Sequence, residues 1–234
     1  MRHRAAPFAF EPLEERQLMS VEIILRRGVF TVIGTRRADT VTMSVNASEP
    51  AKLDIREQTR TTDHTTTINI ADVHQLILYG YGGDNLLRFD AVRGDVSFGI
   101  AFYVGAGNNT IVGGAGPDNV LVLGAGRNVI YGLGGGDLIY AGDGDDLIYG
   151  GDGHDRIFAY GGDDTILGNS GGDSILGGAG DDVIFGNSGV DYIEGNDGRD
   201  VLSGGSGPDT VLSNPKNDIT DGDTTDDNPV GFLA

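Results

Sequence analysis

Nine aspartates stand nine residues apart: Asp137, Asp146, Asp155, Asp164, Asp173, Asp182, Asp191, Asp200 and Asp209. Each follows a glycine by two positions, from Gly135 to Gly207, and precedes an aliphatic residue by two, from Ile139 to Val211. The chain has no Cys, and its four His (His3, His64, His74 and His154) are scattered. A donor set built from these residues is therefore carboxylate and carbonyl oxygen, the chemistry of a hard cation.

The elements that must position these carboxylates follow from the same period. Residues 132–212 divide without insertion into nine blocks, from GLGGGDLIY to GGSGPDTVL. Positions one to five are rich in Gly, Asn, Asp and Ser, which make tight turns and tolerate positive φ. Positions seven to nine are rich in Ile, Leu, Val, Thr, Tyr and Phe and read as a short strand. One block cannot bury a core of its own, but two blocks make one coil of a solenoid: turn, strand, turn, strand. Coils stacked by parallel pairing lie about 4.8 Å apart. Position eight then points inward from both sides, and positions seven and nine face mostly outward.

This register puts the aspartates in two columns. One carries Asp137, Asp155, Asp173, Asp191 and Asp209; the other carries Asp146, Asp164, Asp182, Asp200 and, beyond the regular array, Asp218. Two charges one coil apart repel by about 3 kcal/mol at an effective dielectric near 20. Such columns need cations. Oxygen donors in flexible loops favour Ca²⁺, which takes six to eight oxygens, over Mg²⁺, which demands a tight octahedron. Asp143, Asp145, Asp152, Asp163, Asp181 and Asp197 add carboxylates at turn positions three and five. Five aspartates per column leave four gaps each, so the expectation is about eight ions.

The blocks resemble the hemolysin-type (RTX) calcium-binding nonapeptide repeats, with their GGxGxDxUx pattern. GGDGHDRIF (Gly150–Phe158) fits every defined position. The resemblance implies an all-β chain with a right-handed parallel β-roll or β-helix solenoid and Ca²⁺ in its turns. It also implies a secreted or cell-surface protein that folds where calcium is high.

Charge and glycine divide the chain. The formal net charge is −19; residues 1–100 hold 12 basic and 13 acidic side chains, and residues 101–234 hold 4 and 22. Of the 40 glycines, 33 lie in the second part. So acidic a chain lacks the basic patch that nucleic acid requires. No apolar run is long enough for a transmembrane segment. Calcium would neutralise much of the acidic part, so −19 describes the ion-free chain.

The flanks are less regular. Residues 79–131 read as degenerate coils. LGAGRNVIY (123–131) and VGAGNNTIV (104–112) have Asn128 and Asn109 where Asp belongs, GGAGPDNVL (113–121) keeps Asp118, and YGYGGDNLL (79–87) places Asp84 at position six. Asn lacks the charge for a strong calcium site but can stack in a ladder. Arg88–Tyr103 has no turn signature and reads as a longer coil. Residues 21–78 read as strands forming a β-rich N-terminal cap, with GTRRADTVT (Gly34–Thr42) as a first degenerate repeat; a separate small β domain is the other reading. Residues 1–20 form a leader-like segment, in which EPLEERQLMS (Glu11–Ser20) resembles the LEPR-XLL-type motif of planctomycete surface and secreted proteins. Residues 213–234 form an acidic tail.

No HExxH helix or GxSxG elbow is present, so the expectation is no enzyme. The favoured function is calcium binding by a secreted or cell-surface structural and adhesive module, with extracellular matrix or polysaccharide as partner. The alternative is an accessory or degenerate polysaccharide-active module of an extracellular enzyme, with Tyr79, Tyr81, Phe102 and Tyr103 as exposed rings.

Overall fold

The computed structural model describes residues 22–26, 29–34, 37–46, 48–49, 51–58, 63–90, 99–214 and 217–220. The leader-like segment and most of the acidic tail lie outside the described residues.

The first part comprises β1 (Glu22–Arg26), β2 (Val29–Ile33), β3 (Thr40–Val45), β4 (Lys52–Gln58), β5 (Asp63–Asn69), β6 (Gln75–Gly82), β7 (Leu86–Asp90), β8 (Ile100–Ala106), β9 (Thr110–Val112), β10 (Asn119–Val122) and β11 (Val129–Gly134). Then β12 (Leu138–Tyr140) to β20 (Thr210–Leu212) follow, one strand per nonapeptide, and β21 (Ile219–Thr220) comes last. Among the described residues the one helical element is a 3-10 turn, Ile70–Asp72.

Strands alternate between two sheets. β2 and the even strands from β6 onward stack in one sheet, β3 and the odd strands from β7 onward in the other, so two strands make each coil. Neighbours pair in parallel along the array, with Ile148 beside Ile166 and Ile157 beside Ile175. The early coils are longer: Tyr79 pairs with Tyr103, and Asn119 pairs with Leu138, where Val122 adds one residue. The long coil expected between Arg88 and Tyr103 accounts for the first of these.

The N-terminal segment is built into the same sheets. β2 and β3 pair in parallel with β6 and β7 and form a first coil. β1 adds antiparallel to β2, and the β4–β5 hairpin adds antiparallel to β3. Antiparallel additions stop the parallel stacking and cover the edges that would otherwise recruit another strand.

The core is one residue thick on each side. Ile139, Ile148, Ile157, Ile166, Ile175, Ile184, Ile193 and Leu202, all at position eight, are fully buried. The strands are longer than the three residues expected from sequence. β15 runs from Thr165 to Ser170 and pairs Asn169 with Asn187 and Ser170 with Ser188. Positions two and three of neighbouring coils are in register, so their peptides hydrogen-bond as strands even though glycine-rich. Position one drops out of the pairing and marks a corner.

Two turn positions carry backbone constraints. Position four is glycine because its φ is positive and a Cβ would overlap the coil below; at Gly189 it would collide with the Gly171 carbonyl. Position two also has positive φ, filled by Gly or by Asn169, Asn187 and Asn196, but Leu133 (φ 76°) and Tyr160 (φ 80°) sit there as well. For such residues the left-handed region costs about 1–2 kcal/mol. Because Leu133 is 48% exposed, replacing it removes little packing. Leu133→Asn should raise the thermal midpoint in saturating calcium, by the equivalent of about 1 kcal/mol; an unchanged or lower midpoint would contradict the strained backbone.

Candidate metal centre

Position six is interior. Asp137, Asp146, Asp155, Asp164, Asp173, Asp182, Asp191, Asp200 and Asp209 are each at most 5% exposed. Turn and strand alternate sides around the coil, so positions six, eight and one all point in, and the carboxylate lies beside the aliphatic core.

Each column is a hydrogen-bonded ladder. Asp137 N–H donates to Asp155 Oδ1 (2.7 Å), Asp155 N–H to Asp173 Oδ1 (2.9 Å), Asp173 N–H to Asp191 Oδ1 (2.8 Å) and Asp191 N–H to Asp209 Oδ1 (2.9 Å). The second column repeats this from Asp146 N–H to Asp164 Oδ1 (2.7 Å) as far as Asp200 N–H to Asp218 Oδ1 (3.1 Å). One carboxylate oxygen is thus satisfied by the coil before it.

The other oxygen is not. Oδ2 of Asp137, Asp146, Asp155, Asp164, Asp173, Asp182, Asp191 and Asp200 is buried with no hydrogen-bond partner. A buried acceptor without a donor is costly, and more so when charged. Burial pushes these carboxyls up, to about 8 at Asp137 and Asp164, about 7 at Asp146 and Asp182 and about 6 at Asp173. Asp155, Asp191 and Asp200 are raised for the same reason.

The asparagine coils show what is missing. The second column runs upstream through Asn128, Asn109 and Asn85 to Asp39, each N–H donating to the side-chain Oδ1 of the next coil. In these coils the second branch of the side chain is an amide nitrogen. Asn128 Nδ2 donates to the carbonyls of Gly126 (2.9 Å) and Ala141 (3.3 Å) and to Asp146 Oδ1 (3.0 Å). Asn109 Nδ2 reaches the Gly107 carbonyl (2.8 Å) and Asn128 Oδ1 (2.9 Å). The environment of that branch is therefore all acceptor: the position-four carbonyl, a position-one carbonyl of the next coil and the next Oδ1. An amide fits it; a carboxylate Oδ2 needs a proton or a cation there.

Position one completes the cradle. A Cβ at Gly150 would lie 2.5 Å from Asp155 Oδ2 and 2.8 Å from the Gly168 carbonyl oxygen. The space is kept open by Gly132, Gly150, Gly168, Gly177, Gly186, Gly195 and Gly204, and narrowed by the single buried methyl groups of Ala141 and Ala159. This restriction to Gly or Ala was visible in the sequence but reads there as mere turn composition. Among the described residues no three acidic or His side chains converge on one point. A cation here would take two carboxylates from adjacent coils and fill its shell with main-chain carbonyls, as suits Ca²⁺.

The remaining carboxylates are elsewhere. Asp143, Asp145, Asp152, Asp163, Asp181 and Asp197 are exposed on the turn surface. Three of them make a second ladder of opposite direction: Asp163 N–H donates to Asp145 Oδ1 (3.1 Å), Asp181 N–H to Asp163 Oδ1 (2.8 Å) and Arg199 N–H to Asp181 Oδ1 (3.0 Å). His154 takes the equivalent place in the other column, accepting from Gly172 N–H at Nδ1 (2.7 Å).

Asp84 belongs to this outer row, accepting from Asn108 N–H (2.7 Å), while Asn85 enters the buried column and Leu87 the core. The sequence register of block 79–87 is thus one residue early. Asp118 is buried but closed, with Oδ1 on Ile100 N–H and Oδ2 on Gly114 N–H. Asp218 likewise accepts at Oδ2 from Asn214 N–H. Phe102 is fully buried at an inward position and is not a surface ring. Tyr103 is exposed, but it stacks on Tyr79 at 5.0 Å, and Tyr79 is stacked on Tyr81 as well.

The family model of the RTX calcium-binding nonapeptide repeat (4 copies) matches residues 103–139, 118–148, 140–175, 158–193, 176–211 and 194–228, together more than half of the chain. No curated protein matches the chain.

Two outcomes follow from the contrast between Asn and Asp. Asp164→Asn should fold and bind one calcium ion fewer, and Asn128→Asp should bind one more, counted by equilibrium dialysis; unchanged counts in both would contradict the equivalence of Nδ2 and Oδ2. In calcium-free buffer, carboxyls raised from about 4 toward 6–8 favour the folded state when protonated. Their stabilisation is fully present below about pH 4 and is lost as pH rises through 6 to 8. The calcium-free thermal midpoint should therefore be higher at pH 5 than at pH 8, and the order should reverse with calcium, which protons displace.

Proposed function

The chain belongs to the RTX calcium-binding nonapeptide repeat family, and from that premise we propose that it is a structural and adhesive module, secreted or held at a cell surface, that folds on calcium. The observation that carries this is the run of eight orphaned Oδ2 atoms. Each marks one ion, held by that oxygen, by Oδ1 of the aspartate one coil on, and by main-chain carbonyls of positions four and one. Bound calcium supplies the positive charge that lets these carboxylates stay ionised inside a thin core. The chain's own residues do the rest: position-six N–H groups fix each carboxylate, position-four glycines let the turns stack, and position one stays small.

Position-three and position-five aspartates add negative potential around the turns, which attracts cations and is screened by salt. They are outer residues of the ion-binding set. Extracellular calcium modules bind at about 10⁻⁴–10⁻³ M, so the array is suited to remain unfolded in the cytosol and to fold after export. Among the described residues no helix is long and apolar enough to cross a membrane. The in-register parallel sheets and regular turns suit a scaffold that presents a repetitive surface to matrix or polysaccharide. An accessory polysaccharide-active module is the less supported reading, because Tyr79 and Tyr103 stack on each other instead of leaving their faces to a sugar.

A calcium titration followed by circular dichroism tests the proposal. Strand signal should appear cooperatively at 10⁻⁴–10⁻³ M calcium, roughly the range of extracellular modules, and chelator should abolish most of it for residues 132–212 while the asparagine-laddered coils lose less. A spectrum indifferent to chelator would overturn the folding role.

A further inference from the structure

Just past the pairing of β10 with β12 the register slips by one residue. Leu121 pairs with Tyr140, and the next bridge joins Ala125 to Asp143. Val122, Leu123 and Gly124 thus stand opposite Ala141 and Gly142, a bulge of one residue. Val122 is buried, and Leu123 is thrown outward, 71% exposed. On the other side Asp143 pairs with Gly161, which sets Tyr160 opposite Gly142. Tyr160 is 53% exposed and holds a positive φ that Gly or Asn adopts more easily.

The result is an open cleft. Gly142 is its floor, Leu121 and Leu123 form one wall, and Tyr160 forms the other. Leu123 and Tyr160 belong to coils two apart, about 10 Å along the stack, with Gly142 between them. The Tyr160 ring leans back toward the coil of Gly142, with its centroid 6.3 Å from that of Tyr140. Asp143 leans the other way: its Oδ1 would lie 3.6 Å from a Cβ on Gly161. An aromatic face and a carboxylate thus stand side by side at the mouth. Asp143 is exposed, and no salt bridge among the described residues involves it. The cleft holds about 400 Å³, room for one long side chain.

A carboxylate beside a tyrosine face, on a chain of formal charge −19, selects a flat cation. A guanidinium pairs with a carboxylate through two parallel N–H donors and stacks on an aromatic ring, which a compact ammonium does less well. Its methylene stem suits the wall of Leu121 and Leu123. A sugar fits less well. A ligand rich in hydroxyls needs several placed polar groups, and the lining side chains offer only the Asp143 carboxylate and the Tyr160 hydroxyl. We propose that this cleft docks an arginine side chain of a partner polypeptide, stacked on Tyr160 and paired with Asp143. The open mouth lets the rest of that polypeptide run on over the turns. The site goes beyond the calcium reading, since no ion takes part in it.

The test follows backbone amide chemical shifts of the full, calcium-loaded chain by NMR, with N-acetylarginine methylamide as the probe. Saturable shifts are expected at Leu123, Gly142, Asp143 and Tyr160, and the citrulline counterpart, of the same shape without the charge, should give none. Tyr160→Asn should weaken binding about tenfold, the measure of one cation–π contact, while Tyr160→Phe retains it. Asparagine already fills position two at Asn169, Asn187 and Asn196, so the Tyr160→Asn chain keeps its fold. Asp143→Asn should weaken binding as well. Shifts spread along the acidic turns, equal shifts with the citrulline compound, or undiminished binding by Tyr160→Asn would overturn the site. Shifts at these four amides from cellohexaose and not from the arginine probe would overturn the guanidinium assignment in favour of a sugar.

Discussion

The structure depends on a carboxylate that is half satisfied. Each position-six aspartate spends one oxygen on the peptide N–H of the coil before it and leaves the other buried among acceptors. The ladder cannot be assembled without bringing that oxygen in, since the side chain has only the two branches. Charge on it is tolerated with a cation beside it and is otherwise removed by a proton, which is why burial lifts these carboxyls toward neutrality.

A thin core makes this constraint decisive. Each half coil contributes one aliphatic side chain at position eight, such as Ile157 or Ile166. At about 25 cal/mol per Å² of apolar area, one such residue supplies roughly 1.5–3 kcal/mol, while a buried unpaired acceptor takes back about 1–3 kcal/mol. The two are of the same size, so aliphatic burial alone leaves the aspartate coils with little surplus. The asparagine coils escape the penalty because Nδ2 of Asn85, Asn109 and Asn128 donates where Oδ2 of an aspartate cannot. One architecture thus contains coils in which the second branch carries its own donor and coils in which it is a buried oxygen without one, and in the second column the boundary falls between Asn128 and Asp146.

Much of this was legible in the sequence, because a nine-residue period fixes which residues share a column before any coordinate is known. The two aspartate columns, the inward position eight and the longer coil between Arg88 and Tyr103 all follow from it. Block 79–87 is ambiguous in sequence because Gly82-Gly83 and Leu86-Leu87 each offer two registers, and only stacking on Asn109 selects Asn85 over Asp84. The inward position of Phe102 is not legible in the sequence because no turn signature precedes it to set the register. The paired role of positions two and three was hidden, since strand hydrogen bonds there belong to the backbone and leave no apolar pattern. The antiparallel seating of β4 on β3 depends on a pairing that strand propensity does not encode.

The most direct test of the account is a crystal structure of the calcium-loaded chain with the ions located by anomalous scattering. The account predicts ions beside Oδ2 of the aspartates from Asp137 to Asp200 in both columns, and none beside Nδ2 of Asn85, Asn109 and Asn128. Water or empty space beside the aspartate Oδ2 atoms, or ions lined up along the asparagines, would contradict it.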